Sequence, residues 1–342
     1  MRWFAIATLT PVALLSLAGV FGGVWCVLAF LYLTVFTHVV DRLTHKDAAL
    51  QREDGEFPSG EALSETLGLA HIWLISLAIW AISGAGGGQA WEQFLCFASF
   101  GIFFGQISNA NAHELIHKPS RWQRRLGKLV YISLMFGHHV SAHTRVHHVW
   151  VASDGDPNSA RLGENFYRFW LRAWIGSFAK GWVAEDKAMR AAQHPRWMHP
   201  YVAYFGGALG MVWLAVELGG IRGVIALILV TGYAQMQLLL SDYVQHYGLR
   251  RKRGANGRLE PVGAQHSWNA PQFFSSATML NAPRHSDHHT RPQRPYPALQ
   301  LREEAMPMLP RSLPLMGLLA LWPSKWRRVM DPRVARVATD RR

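Results

Sequence analysis

Cysteine is nearly absent from this sequence. Cys26 and Cys96 are the only two in 342 residues, and each lies inside an apolar run. That excludes a disulfide-stapled secreted fold. Charge is scarce as well: 17% of residues are charged, against about 25% in an ordinary soluble domain. Acids are the scarcer sign, 22 Asp and Glu against 35 Lys and Arg, which leaves a formal charge of +13. No nucleic-acid motif accompanies that charge. There is no fixed-period repeat and no low-complexity linker, so the chain reads as a single domain over residues 1–342. With 15 Trp, 17 Phe and half of all residues apolar, it has ample surface to bury, which excludes disorder.

What it does have is long apolar runs. Six stand out, at about 3–20, 22–40, 66–84, 90–109, 200–217 and 222–240. Each approaches the roughly 20 residues that a helix needs to cross a bilayer. The first is read as a retained span and not a signal peptide, because a second apolar run follows at once where polar mature sequence would be needed. The 127–140 run is apolar but short, and reads as a membrane-edge or buried helix. The Pro-rich stretch from residue 292 reads as irregular chain packed across one face. Of the 35 Lys and Arg, all but Arg222 fall on one side of a six-span arrangement. Cytoplasmic loops carry the Lys/Arg excess. The expected fold is therefore an all-α integral membrane protein, with both termini and both large polar segments cytoplasmic. The positive charge is then chiefly topology.

Histidine is the residue in excess. Of 17 in all, seven fall within 113–148 and three within 285–289, and His246 follows the last span. All these lie on the inferred cytoplasmic side, close to helix ends. His113 and His117 are four apart, as are His143 and His147, with His148 beside them; His285, His288 and His289 sit at i, i+3 and i+4. Side chains three and four apart share a helix face, so three segments can aim imidazoles at one volume. Neutral imidazole suits iron, zinc, copper or nickel. A single ion takes about four to six ligands, so this many histidines imply two. HELIH alone also fits an intramembrane zinc hydrolase, but that enzyme needs only one further ligand. A metal carrier would want its ligands inside the spans. His38, His45, His71, His194 and His199 stand alone and read as caps or contacts.

Five motifs in order now carry a resemblance: HELIHK (113–118), HTRVHHVWVASDGDPNSA (143–160), DYVQHYGL (242–249), QHSWN (265–269) and RHSDHH (284–289), with Met330-Asp331-Pro332 near the end. Over about residues 30–335 the chain resembles the membrane-bound non-haem di-iron alkane 1-monooxygenases, within the integral-membrane desaturase/hydroxylase group. The resemblance implies nine iron ligands: His113, His117, His143, His147, His148, His246, His285, His288 and His289. It implies two non-haem irons with O2 as co-substrate, in a bacterial inner membrane. His266 reads as structural. Around the ligands, Glu114, His138, Asp156, Asp242 and Asp287 are candidate supporting groups. The chain departs from the family pattern at Ala142 and Gln245, where Glu is usual, at Asp242, where Asn is usual, and at Ala282-Pro283, where Leu-Gln is usual. No ligand is lost, but two acidic supporting groups are.

The activity so implied is terminal hydroxylation of an n-alkane that enters from the lipid. Electrons must come from outside. A fused rubredoxin needs paired CxxC motifs, and no Gly-rich nucleotide fingerprint is present. A separate rubredoxin (or ferredoxin) with an NAD(P)H-dependent reductase is expected, and Arg250, Arg251, Lys252 and Arg253 are placed to steer an acidic carrier. The resemblance also makes the second helix a chain-length determinant; Leu33 there, in place of a bulky aromatic, points to longer chains. The alternative on the same scaffold is xylene-type methyl hydroxylation, or fatty acyl hydroxylation or desaturation.

Overall fold

The computed structural model describes residues 1–44 and 55–339; His45 lies outside the described residues. The described residues form helices and no strand, apart from two isolated bridges, Arg253–Leu259 and Asn269–Met308. In chain order the principal helices are α1 (Arg2–Phe21), α2 (Val24–Leu43), α3 (Pro58–Ile82), α4 (90–116), α5 (Arg121–Ser133), α6 (138–150), α7 (Phe166–Ala191), α8 (Pro200–His246), α9 (Phe273–Thr278), α10 (His285–Thr290), α11 (Leu313–Ala320) and α12 (Pro323–Thr339). Among the described residues four segments are long and apolar enough to cross a membrane: α1, α2, α3 and α8.

Each of the six apolar runs lies on one of these helices, and glycine explains the breaks. Gly22 and Gly23 both have φ near +60° (61° and 56°), a conformation that costs glycine little, and they fold α1 back on α2. The Glu92 carboxylate accepts the Gly23 N–H at 2.6 Å, which ties this turn to the start of α4. The 47 residues of α8 are broken at Gly219 and Gly220, where Gly220 has φ +57°, so α8 is two arms that match the fifth and sixth runs. His71 of α3 is buried between two hydroxyls, Ser108 of α4 at 2.9 Å and Ser133 of α5 at 2.8 Å, with Phe104 against its ring. One side chain thus joins three helices.

Three helices carry a π-helical turn: α2 at Tyr32–Phe36, α4 at Phe103–Ser108 and α6 at His143–His147. Such turns insert an extra residue into an α-helix and recur at functional sites.

One region adds a helix to the sequence expectation and one differs from it. The 110–199 stretch contains the 26-residue helix α7, capped by the Asn165 side chain, which accepts the Arg168 N–H at 2.9 Å. The Pro-rich tail is irregular only to about residue 312, after which α11 and α12 follow. Pro314 and Pro323 stand in the first turns of those helices, where a missing N–H costs nothing. The tail is held down by Trp326, fully buried against Tyr243 and Tyr247, and by Asp331, which accepts the Tyr247 hydroxyl at 2.7 Å.

Candidate metal centre

One end of the bundle collects the histidines. The end of α4 supplies His113 and His117; α6 supplies His143, His147 and His148; the end of α8 supplies His246; α10 supplies His285, His288 and His289. They form two groups, His113, His117, His143, His148 and His288 in one and His147, His246, His285 and His289 in the other, with the donor nitrogens of each group all within 4.8 Å of one another.

The π turn decides who joins whom. In a regular α-helix His143 and His147 would share a face. With the turn at His143–His147, His143 pairs instead with His148, Nε2 to Nε2 at 2.9 Å, and His147 points into the other group. On α10 the ordinary spacing holds: His285 and His289 meet at 3.0 Å, and His288 faces the first group, 3.2 Å from His148.

The donor set fits metal ions. His143 Nε2 lies 3.1 Å from His117 Nε2 as well as 2.9 Å from His148 Nε2. His285 Nε2 lies 3.0 Å from both His246 Nε2 and His289 Nε2. An imidazole nitrogen has one in-plane lobe, either a proton or a lone pair, so neither nitrogen can satisfy two partners at once. A cation at the centre satisfies all of them. Donors about 2.1 Å from one ion, at right angles to each other, stand about 3.0 Å apart. Further, His113 Nε2 and His147 Nε2, one in each group, are buried with no hydrogen-bond partner among the described residues.

Electrostatics favour the neutral imidazoles that ligation requires. Burial, then neighbouring imidazoles, push His143, His148, His288 and His289 well below the usual histidine range, and push His285 down to about 3. His147 is the exception. Burial pushes it down, but the Asp156 carboxylate, 2.8 Å from Nδ1, outweighs that and raises it. Asp156 moves the opposite way: burial would raise it, and His147, with hydrogen bonds from Ser159 and Asn158, brings it below the usual carboxylate range. The carboxylate holds the proton on His147 Nδ1 and so turns the Nε2 lone pair inward, the arrangement common around metal-binding histidines.

The other candidate supporting groups make no hydrogen bond to these histidines. Asp242 accepts the Asn158 amide at 2.7 Å. Glu114 pairs with Lys118 at 2.8 Å. Asp287 accepts Arg294 at 2.8 Å and the Gln300 N–H at 3.0 Å, which fastens the tail across α10. His138 sits among the rings of Phe136, Trp174 and Phe178. His266 takes the Gly263 N–H on Nδ1 and bonds Glu260 through Nε2. Sequence reasoning missed Asn269, whose side chain holds Ser286 by both its N–H, at 2.9 Å, and its hydroxyl, at 2.7 Å, and so anchors the start of α10. The QHSWN motif was the available signal.

Two cavities lead to this end. The larger, about 260 Å³, is walled mainly by apolar side chains of α2, α4, α8 and α11, among them Leu33, Ile102, Leu240 and Leu318. The smaller, about 70 Å³, is lined by His113, His143 and His285 together with Asp242. Gln106, Ser241, Met279 and Leu313 line both. Gln106 belongs to the π turn of α4.

An apolar helical bundle with paired histidine groups at one end defines a membrane-embedded metal enzyme, and residues 89–319 match the fatty acid desaturase family, to which the chain belongs. Within that group it is similar to alkane 1-monooxygenase 2 of Alcanivorax borkumensis, at 29% identity over 97% of this chain and 89% of the relative. It is 31% identical to alkane 1-monooxygenase 1 of Pseudomonas aeruginosa, over 86% of this chain and 79% of the relative. The xylene/toluene monooxygenase hydroxylase component of Pseudomonas putida is also similar, at 26% identity over 68% of this chain and 61% of the relative. The chain is thus a member of the alkane hydroxylase branch, an oxidoreductase of the monooxygenase kind.

Proposed function

We propose that this protein catalyses O2-dependent terminal hydroxylation of medium- or long-chain n-alkanes to 1-alkanols at a di-iron centre, fed with electrons by rubredoxin or ferredoxin and its NAD(P)H-dependent reductase. The observation that carries the reading is the apolar cavity that meets a histidine-walled one at Gln106, Ser241, Met279 and Leu313. In this reading His113, His117, His143, His148 and His288 hold one iron, and His147, His246, His285 and His289 the other. The whole chain forms one membrane-embedded unit that crosses the bilayer six times, with both termini and the histidines cytoplasmic in a bacterial inner membrane. The Lys/Arg asymmetry and the two arms of α8 support that topology.

Irons held by these two histidine groups would supply the O2 activation and oxygen-transfer chemistry. The remaining work falls to the chain's own side chains. Asp156 fixes the tautomer of His147. Leu33, Ile102, Leu240 and Leu318 hold an extended hydrocarbon and keep water away from it. Where the two cavities share Gln106, Ser241, Met279 and Leu313, the histidine-lined one would receive the end of that chain, which is the basis for terminal attack. The xylene-type relative favours a second reading, hydroxylation of a ring methyl group.

The test is elemental mass spectrometry of the detergent-purified protein, followed by product analysis with rubredoxin, its reductase and O2. About two irons per chain and 1-alkanols from n-alkanes are expected. Benzylic alcohols formed in preference to 1-alkanols would move the assignment to the second reading. About one zinc per chain and turnover without O2 would overturn both.

A further inference from the structure

The first two turns of α5 carry four cations, Arg121, Arg124, Arg125 and Lys128, spaced three and four apart on one helix face. With Ile116, Val140 and Thr144 they line a groove of about 410 Å³ between α5 and α6. Like charges at these spacings repel. Among the described residues no acid pairs with Arg121, Arg125 or Lys128. Arg124 is engaged only by the carbonyls of Lys118, at 2.8 Å, and Pro119, at 2.5 Å. Among the described residues, the groove therefore holds a positive field with no acid paired to Arg121, Arg125 or Lys128.

Its depth is set by packing. Gln123 bonds Glu65, in the second turn of α3, at 3.0 Å, and Ser133 bonds His71 of α3 at 2.8 Å. So α5 descends beside the first half of an apolar helix that is long enough to cross a bilayer. Its cations stand level with the start of that helix. Trp122 and Leu129 are exposed on the outer flank, 53% and 46% accessible. Exposed tryptophan beside arginine and lysine at a helix end is the composition of the membrane–water interface. The basic cluster Arg250–Arg253 lies elsewhere, after the end of α8.

We propose that this groove binds the phosphate headgroup of an acidic membrane phospholipid. Arg121, Arg125 and Lys128 take the phosphate oxygens, and the acyl chains run down past Ile116, Val140 and Leu129. Basic pockets of this kind at helix ends recognise cardiolipin-type headgroups. Charge complementarity and interfacial depth select a lipid over an acidic protein, which would require a face clear of the bilayer.

The full-length protein is compared with an Arg121→Gln/Arg125→Gln/Lys128→Gln variant by native mass spectrometry after a delipidating wash. Thermal midpoints are then measured in nanodiscs of phosphatidylcholine alone or with phosphatidylglycerol or cardiolipin. The wild type is expected to keep acidic phospholipid and to melt higher in the acidic discs. The variant is expected to lose both properties, with retention weakened roughly 100-fold at about fivefold per cation. Should the triple variant not fold, Arg121→Gln and Lys128→Gln alone are each expected to weaken retention about fivefold. An unchanged lipid complement in the variants overturns the proposal. So does an equal thermal shift from inorganic phosphate, which would make this a free-anion site. A slower reduction by the electron carrier with lipid retention unchanged overturns it too, and assigns the groove to that carrier.

Discussion

The two histidine groups are built differently. The group of four is wholly buried, and one member, His147, leans on a carboxylate that is itself held by Ser159 and Asn158. In the group of five, His113, His117 and His148 are only partly buried, and among the described residues none of the five hydrogen-bonds an acid. The group of four gains its precision from a second layer of polar contacts. The group of five gains it from the number of rings converging on one point. On the proposed reading, the two groups would give the irons they hold different charge environments and different exposure.

The largest expected effect comes from breaking either group. His285 touches two partners in the group of four, and His285→Ala should reduce bound iron from about two per chain to about one and abolish hydroxylation, as read by elemental analysis and product yield. His143→Ala should do the same in the group of five. Full metal content in His143→Ala would mean that the fifth ring there is dispensable and the two groups are equivalent. Next, Asp156→Asn should weaken metal binding about 10–100-fold, and in the group of four alone, whereas Glu114→Gln should leave metal content unchanged because its partner is Lys118. Titration of metal-free protein with ferrous ion would separate the two.

Acid sharpens the contrast further. Histidines held below their usual value leave the unfolded chain with more bound protons. Metal-free protein should therefore lose stability as pH falls below about 6.5 and go on losing it toward the depressed native values, about 3 for His285. His147 runs the other way. Raised by Asp156, it adds stability that is complete below about 6.5 and is lost as pH rises through its native value. Asp156→Asn should remove that offset and steepen the acid loss, as measured by thermal melts across pH. The smallest effect concerns the cavity. Leu33→Trp should shift the preferred alkane toward shorter chains by about tenfold in relative rate, with metal content unchanged.

Much of this was legible in the sequence because it depends on local composition. The apolar runs mark the helices, and the paired glycines at 22–23 and 219–220 mark their breaks. The histidine clusters were visible by count and spacing. Their division into five and four was not. Ordinary helical spacing puts His143 with His147, and only the π turn, which has no local signature, hands His143 to His148. Partners far apart in the chain were equally hidden: Asn158 meets Asp242 across 84 residues. The tail misled because proline was read as a helix breaker, although at Pro314 and Pro323 it begins helices.

The π turns give the chain something like an adjustable thread. In a regular helix one extra residue would carry everything beyond it through about 100° and 1.5 Å, and a π turn takes up that residue so that the flanking helix keeps its line. In α4 the turn at Phe103–Ser108 lies between the apolar stretch and His113 and His117, so it sets the heading of both rings independently of the packing below. Closing that turn into regular α form without removing a residue would swing His113 and His117 about 100° away from the other three rings, whereas deleting one residue there would close it with both flanks in place. Register, more than sequence identity, is then what the site needs preserved along this helix: a one-residue deletion within the turn can be absorbed, and closure of the turn at full length cannot.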